Sequence, residues 1–184
     1  IHPRICYHTA SHSVDVASEA IHLGVHEGVD DRGIELLAIA AAYHDAGYLE
    51  QDLSNEFIGA GMAVEAMRIV GSYSLEECNL VEQMVLDTTL RQTETGFAQI
   101  PTTPIAGVLL DADLSNFGRA DFFIKSELYR VELNIADTRE YRGWVLALVS
   151  GHTWYTKSAH TLRQKQKEQN IIRLRQMIDA MPLA

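Results

Sequence analysis

A histidine and an aspartate end the most apolar stretch of this chain. His44 and Asp45 follow the run LLAIAAAY at positions 36–43. On a helix, both side chains would stack over apolar residues one turn earlier, so both start from the face that should be buried. A buried carboxylate is costly unless it is paired or binds a metal ion. The pair therefore needs partners, and a cation beside the helix end could reach both side chains.

Two other segments offer such partners. His12 falls on the apolar stripe of the first predicted helix, and Asp111 and Asp113 follow the apolar run at 108–110. Each has an ordinary alternative: a hydrogen-bonded core histidine, and aspartates that end a helix or form a turn. Taken together, the three segments deliver imidazoles and carboxylates from the inner ends of apolar stretches. This mixed ligand set suits one divalent ion such as manganese, iron, nickel, cobalt or zinc, with magnesium also open.

The overall composition limits the class of partner. The chain has 184 residues, 47% of them hydrophobic, and a formal net charge of −10. Nucleic acids and anionic membranes bind basic surfaces, so we expect neither as a partner, whereas a metal ion could still recruit a phosphorylated small molecule. The 2 cysteines, Cys6 and Cys78, lie far apart. Their number argues against a disulfide framework, and we expect a cytoplasmic protein.

The elements that must position these residues are predicted to be helices. No convincing strand pattern is present, and a polar stretch from Thr89 to Thr102 is predicted to be a loop that could cover a site. The expected fold class is all-α, a single helical bundle of about six to eight helices over residues 1–184. The helices after about residue 120 are expected to complete the same domain. The predicted segments are about 11–26, 33–45, 55–70, 74–86, 104–113, 121–133, 138–149 and 158–178.

The ordered set His12, His44-Asp45 and Asp113 resembles the signature of the HD superfamily of metal-dependent phosphohydrolases. The segments YHTASHSVDV, AAAYHDAG and DADLSN are similar to the three motif segments of that family. The last is also similar to the form found in cyclic-nucleotide phosphodiesterases. The resemblance implies a helical HD domain that holds one divalent ion, with Asp113 as the ligand in the DAD segment.

Other positions refine the resemblance. Asn55-Glu56 and Arg130-Val131-Glu132 are similar to patterns in a subgroup of HD hydrolases. Asn55 stands where some two-metal members carry histidine, which favours a single ion. Ala46-Gly47 follows the His-Asp pair, where alarmone hydrolases carry Glu-Asp, and this argues against alarmone hydrolysis.

The resemblance also suggests catalytic roles. His8 matches the position of the histidine that the phosphodiesterases use as general acid. Glu56 could activate water or support a ligand, or it could be an ordinary first-turn glutamate favoured by the helix dipole. Asp45 would act both as ligand and as part of the catalytic set. Candidate phosphate contacts, each with a solvated surface role as the alternative, are Arg119, Arg130 and Lys157.

The expected activity is hydrolysis of a phosphate ester of a small molecule, a nucleotide being the leading case, by metal-activated water. Two other functions stay open. One is a non-catalytic sensory or regulatory domain that keeps a metal or ligand. The other is an iron oxygenase of the same fold, which would need a two-metal site and more histidines than this chain supplies.

Overall fold

Helices form nearly all of the regular structure, which confirms the all-α prediction. The computed structural model describes residues 5–50, 54–94 and 96–182, so the predicted domain at 1–184 extends beyond the described residues. Over these ranges the chain forms eight α-helices. They are α1 (Ala10–His26), α2 (Asp31–Tyr43), α3 (Asn55–Val70), α4 (Leu75–Asp87), α5 (Pro104–Asp113), α6 (Phe122–Glu132), α7 (Arg139–Gly151) and α8 (Lys157–Asp179). Among these helices, none is both long enough and apolar enough to cross a bilayer.

Side-chain caps fix where the site-bearing helices begin. The Asp30 carboxylate accepts the N–H of Gly33 at the start of α2, and the Thr103 hydroxyl accepts that of Ala106 at the start of α5. Pro104 occupies the first turn of α5, where its missing N–H costs nothing. Because each cap satisfies an amide that the helix cannot, these starts are encoded locally in the sequence.

Helix α2 lies at the centre of the main hydrophobic core. It contacts α1, α3, α4 and α5. Leu23 of α1, Leu37 of α2, Val81 of α4 and Leu109 of α5 are all fully buried in this core. Among the described helices, α2 therefore has neighbouring helices on the most sides.

Truncating Leu37 to alanine is expected to destabilise the fold by about 2–5 kcal/mol, because the removed atoms leave a cavity in a fully buried site. The measurement is the free energy of unfolding from chemical denaturation. Ile69→Ala is the matched control, since this α3 side chain is 79% exposed and should change the value by no more than about 0.5 kcal/mol. Equal effects at the two sites would contradict the central position of α2.

A second cluster joins the C-terminal helices. It packs Phe117 and Phe122 against residues of α7 and α8, and Trp154 contacts both this cluster and the main core. The Asn170 amide of α8 donates to the carbonyls of Phe117 and Arg119 at 2.9 Å each. These bonds fix α8 to the segment that follows α5.

A small hairpin replaces part of the loop predicted for residues 89–102. Strands β1 (Arg91–Thr93) and β2 (Gly96–Ala98) pair antiparallel, with Gln92 opposite Phe97. The prediction of a loop throughout was therefore wrong here. Three-residue strands are too short to show the alternation by which strands are recognised in a sequence.

The His-Asp pair lies in a turn and not on the helix predicted to carry it. Helix α2 ends at Tyr43, and a short 3₁₀ turn follows at Ala46–Leu49. Two glycines let α3 approach this turn closely. A Cβ atom at Gly47 would collide with the backbone carbonyl of Asn55, and one at Gly59 with that of Tyr43. Because neither residue has a side chain, the turn can pack directly against the first turns of α3.

Candidate metal centre

Four of the predicted ligands converge at one point. His12 Nε2 lies 3.4 Å from Asp45 Oδ2 and 3.4 Å from Asp113 Oδ1. His44 Nε2 lies 3.0 Å from Asp45 Oδ2 and 3.4 Å from Asp113 Oδ1. His12 comes from the first turn of α1, the His-Asp pair from the turn after α2, and Asp113 from the last residue of α5. Three separate segments therefore present two imidazoles and two carboxylates to the same small volume.

The spacing and burial of these atoms fit a metal ion. Ligand atoms about 2.1 Å from one ion lie about 3.0–3.4 Å apart at tetrahedral or octahedral angles. Ligand atoms of His12, His44 and Asp113 lie within 4.8 Å of one another, and His44 is 1% exposed. His44 Nε2 and Asp45 Oδ2 are buried without a hydrogen-bond partner. Buried polar atoms are rarely left without partners, so this group of side chains could hold a metal ion.

The hydrogen bond on the other side of His44 sets its tautomer. Its Nδ1 donates to the carbonyl of Ala41 at 2.7 Å. The proton of the neutral ring is therefore on Nδ1, and the lone pair of Nε2 points into the cluster. A backbone carbonyl in this position orients the imidazole and increases its strength as a ligand.

The electrostatics of the cluster also call for positive charge. Burial alone would lower the pKa of His44, but the carboxylates of Asp45 and Asp113 outweigh it and hold the pKa well above its usual range. Burial likewise opposes ionisation of Asp113, yet the two imidazoles keep its pKa well below the ordinary value. A proton on His44 thus balances the carboxylates in the protein alone. A divalent ion would supply this charge instead and release the proton.

A pocket of about 170 Å³ borders the cluster. Asp45, Asp113 and Glu56 belong to its polar lining, so two of the predicted ligands border the cavity. Tyr129 of α6 and Trp144 of α7 belong to its aromatic wall. A ligand in this pocket could therefore contact both the candidate metal site and aromatic rings.

His8 lines the same pocket and is held by Glu132 from the end of α6. The His8 Nδ1 donates to Glu132 Oε1, and the other carboxylate oxygen accepts the backbone N–H groups of Cys6, Tyr7 and His8 at 2.8, 2.6 and 3.1 Å. The His8 ring also stacks on Tyr48, with centroids 4.1 Å apart. This one glutamate therefore fixes both the backbone and the ring orientation of His8.

The pairing with Glu132 favours the charged imidazole of His8. Burial lowers the pKa of His8, but the hydrogen bond to Glu132 and the nearby carboxylates raise it above its usual value. Burial raises the pKa of Glu132, and the bond from His8 lowers it to about 2. The raised pKa favours the protonated form of His8.

The two residues that begin α3 also face the site. Glu56 lines the pocket, and burial together with the charges of Asp45 and Asp113 raises its pKa. The Asn55 side-chain amide donates a hydrogen bond to Asp45 Oδ1 at 3.4 Å. Asn55 therefore supports a predicted ligand, and Glu56 is a carboxyl group whose pKa is moved towards neutrality.

The three predicted phosphate contacts lie elsewhere. Arg119 pairs with Asp15 and Asp121 at 3.0 and 2.6 Å. Arg130 donates to Glu127 and to a backbone carbonyl at the surface. Lys157 lines a different cavity, beside the starts of α5 and α8. None of the three is among the described residues that line the pocket at the metal centre.

Among the polar residues of this pocket that sequence reasoning missed, Lys125 and Gln99 bear most on the site. Lys125 lines the pocket and is the only lysine or arginine among its described lining residues. Gln99, which follows β2, donates from Nε2 to Asp113 Oδ2 and to the Thr88 carbonyl, both at 2.7 Å. Gln99 lies within residues 89–102, the segment that was predicted to cover a site. No local pattern separates Lys125 from other lysines on a helix.

No protein-family model, curated protein or solved structure matches this chain. The functional assignment therefore depends on the geometry and chemistry of the site.

Proposed function

We propose that this chain is a metal-dependent phosphohydrolase of the HD type. It would bind one divalent ion through His12, His44, Asp45 and Asp113 and hydrolyse a phosphate ester of a small molecule. The observation that carries the proposal is the buried approach of two imidazole nitrogens to two carboxylates at 3.0–3.4 Å, beside a pocket. The order of these residues along the chain, which resembles the HD signature, supports it further.

The residues of the pocket supply the remaining chemistry. A bound divalent ion lowers the pKa of water and polarises a phosphoryl oxygen. His8, oriented by Glu132, would protonate the ester oxygen as it leaves. Because burial raises its pKa, Glu56 would accept a proton from the attacking water more readily than a solvated carboxylate would.

We assign to Lys125 the phosphate contact that the sequence predicted for Arg119, Arg130 and Lys157. Its Nζ lies 3.5 Å from Asp15 Oδ2, and Arg119 approaches the same carboxyl group more closely. Because Asp15 is shared with Arg119, the Lys125 ammonium group could also contact a phosphate in the pocket. The expected contact is between Lys125 and a phosphate oxygen that does not leave.

The direct test combines metal content with turnover. Purified protein is stripped with a chelator and reloaded separately with manganese, iron, nickel, cobalt, zinc or magnesium. Each form is then assayed for metal per chain and for hydrolysis of a panel of phosphate monoesters and diesters that includes nucleotides. We expect one ion per chain and hydrolysis with at least one metal.

Other outcomes of this test would contradict the proposal. One ion per chain with no hydrolysis of any ester would favour a sensory or regulatory domain. Two irons per chain with oxygen consumption would favour an oxygenase.

A further inference from the structure

Part of the wall of the pocket is built from aromatic rings. The rings of Tyr129 and Trp144 lie 6.4 Å apart and 24° from parallel, and those of Tyr141 and Trp144 lie 6.2 Å apart and 29° from parallel. All three line the pocket, together with Leu148 of α7. Such a surface favours a flat apolar group, because rings gain both burial and ring–ring contact there.

The charges in the pocket limit how many phosphate groups it can take. A divalent ion would be balanced by Asp45 and Asp113, which leaves one lysine, Lys125, and one further carboxyl group, Glu56, among the lining residues. The positive charge of protonated His8 is already paired with Glu132. Each phosphate beyond the first would bring negative charge that no other described lysine or arginine of this pocket could offset. The pocket therefore suits one phosphate group and disfavours a chain of them.

We infer that the substrate, if the proposed hydrolysis is correct, is a monophosphate ester whose alcohol carries an aromatic ring. The phosphate lies beside Asp45 and Asp113, and the ring packs against Trp144 and Tyr129. Water gives one proton to Glu56 and adds to phosphorus, the P–O bond to the alcohol breaks, and the ester oxygen keeps the electron pair and takes a proton from His8. The products are the aromatic alcohol and inorganic phosphate.

Binding of unreactive phosphonates tests the ring site without turnover. Calorimetry on the metal-loaded protein would compare benzylphosphonate, propylphosphonate and methylphosphonate. We expect benzylphosphonate to bind at least about tenfold more tightly than propylphosphonate, because only the aromatic ring makes ring–ring contact in addition to apolar burial. Affinities of the two within about twofold would overturn the inference.

Variants then locate the ring. Trp144→Ala is expected to remove most of the benzyl preference and leave methylphosphonate affinity unchanged, whereas Trp144→Phe should retain much of it. Tyr73→Ala is the matched control, since this ring lies under Arg32 and does not line the pocket. A benzyl preference that survives Trp144→Ala in folded protein would place the ring elsewhere and overturn the proposed contact with Trp144.

Turnover separates this inference from the general function. Benzyl phosphate and propyl phosphate both release a primary alcohol, so a difference in kcat/KM reports mainly the ring. Equal kcat/KM values, or faster hydrolysis of a nucleoside triphosphate than of its monophosphate, would overturn the inference of an aromatic monophosphate substrate. The proposed hydrolase function would still stand. Failure of the metal-loaded protein to bind any phosphonate and to hydrolyse any ester would overturn both.

Discussion

Asp45→Ala is expected to abolish stoichiometric metal binding. Asp45 Oδ2 lies between the Nε2 atoms of His12 and His44, and it is buried without another partner. The substitution removes one of four ligands and half of the negative charge that would hold a divalent ion. Metal per chain, measured by elemental analysis after dialysis, should fall from about one to near zero.

Thermal unfolding gives a second measurement of the same effect. An ion that binds only the native state at 100 times its Kd stabilises the wild-type protein by about 2.7 kcal/mol, and Asp45→Ala should lose this gain. Asp31→Asn is the matched control, because this exposed aspartate lies at the opposite end of α2. One ion per chain in Asp45→Ala would refute the four-ligand site.

The second large effect is expected for His8→Ala, which should lower turnover by about 10²–10⁴-fold while metal content stays unchanged. His8 lines the pocket, and Glu132 orients its ring and raises its pKa. If His8 protonates the leaving oxygen, the loss should shrink for a nitrophenyl ester, whose leaving group needs little protonation. The measurement is kcat on activated and unactivated esters together with metal per chain.

His22→Ala is the control for this variant, since His22 is an exposed histidine within α1. Its turnover should match that of the wild-type protein. Equal losses on both kinds of ester in His8→Ala would assign His8 to substrate binding or to structure.

The helices could be predicted well because their signals are local. The predicted segment 55–70 coincides with α3, and the helix predicted to begin at Pro104 and to end in the DAD segment is α5. Gly71 ends α3 in the left-handed conformation, and Thr103 with Pro104 begins α5. The end of α2 was predicted two residues too late because its termination depends on α3 packing against the turn, which is a contact distant in sequence.

The candidate ligands could be chosen from the sequence because burial of a charged side chain is visible in an apolar pattern. The rest of the pocket could not. Lys125 and Trp144 lie on ordinary amphipathic helices, and only tertiary packing brings them to the pocket that Asp113 also lines. Arg119 was selected by its type alone, and nearby carboxylates proved to be its partners.

The close contact of α3 with the turn after α2 predicts an unusual pattern of tolerance to random mutation. Gly47 and Gly59 would touch no substrate, yet any side chain there would collide with a backbone carbonyl. Since the turn carries His44 and Asp45, a displaced backbone would misplace two candidate ligands at once. In a selection for activity, even alanine at these glycines should be depleted as strongly as substitutions of the ligands themselves. A pattern for finding distant relatives should therefore include these two glycines together with the histidines and aspartates.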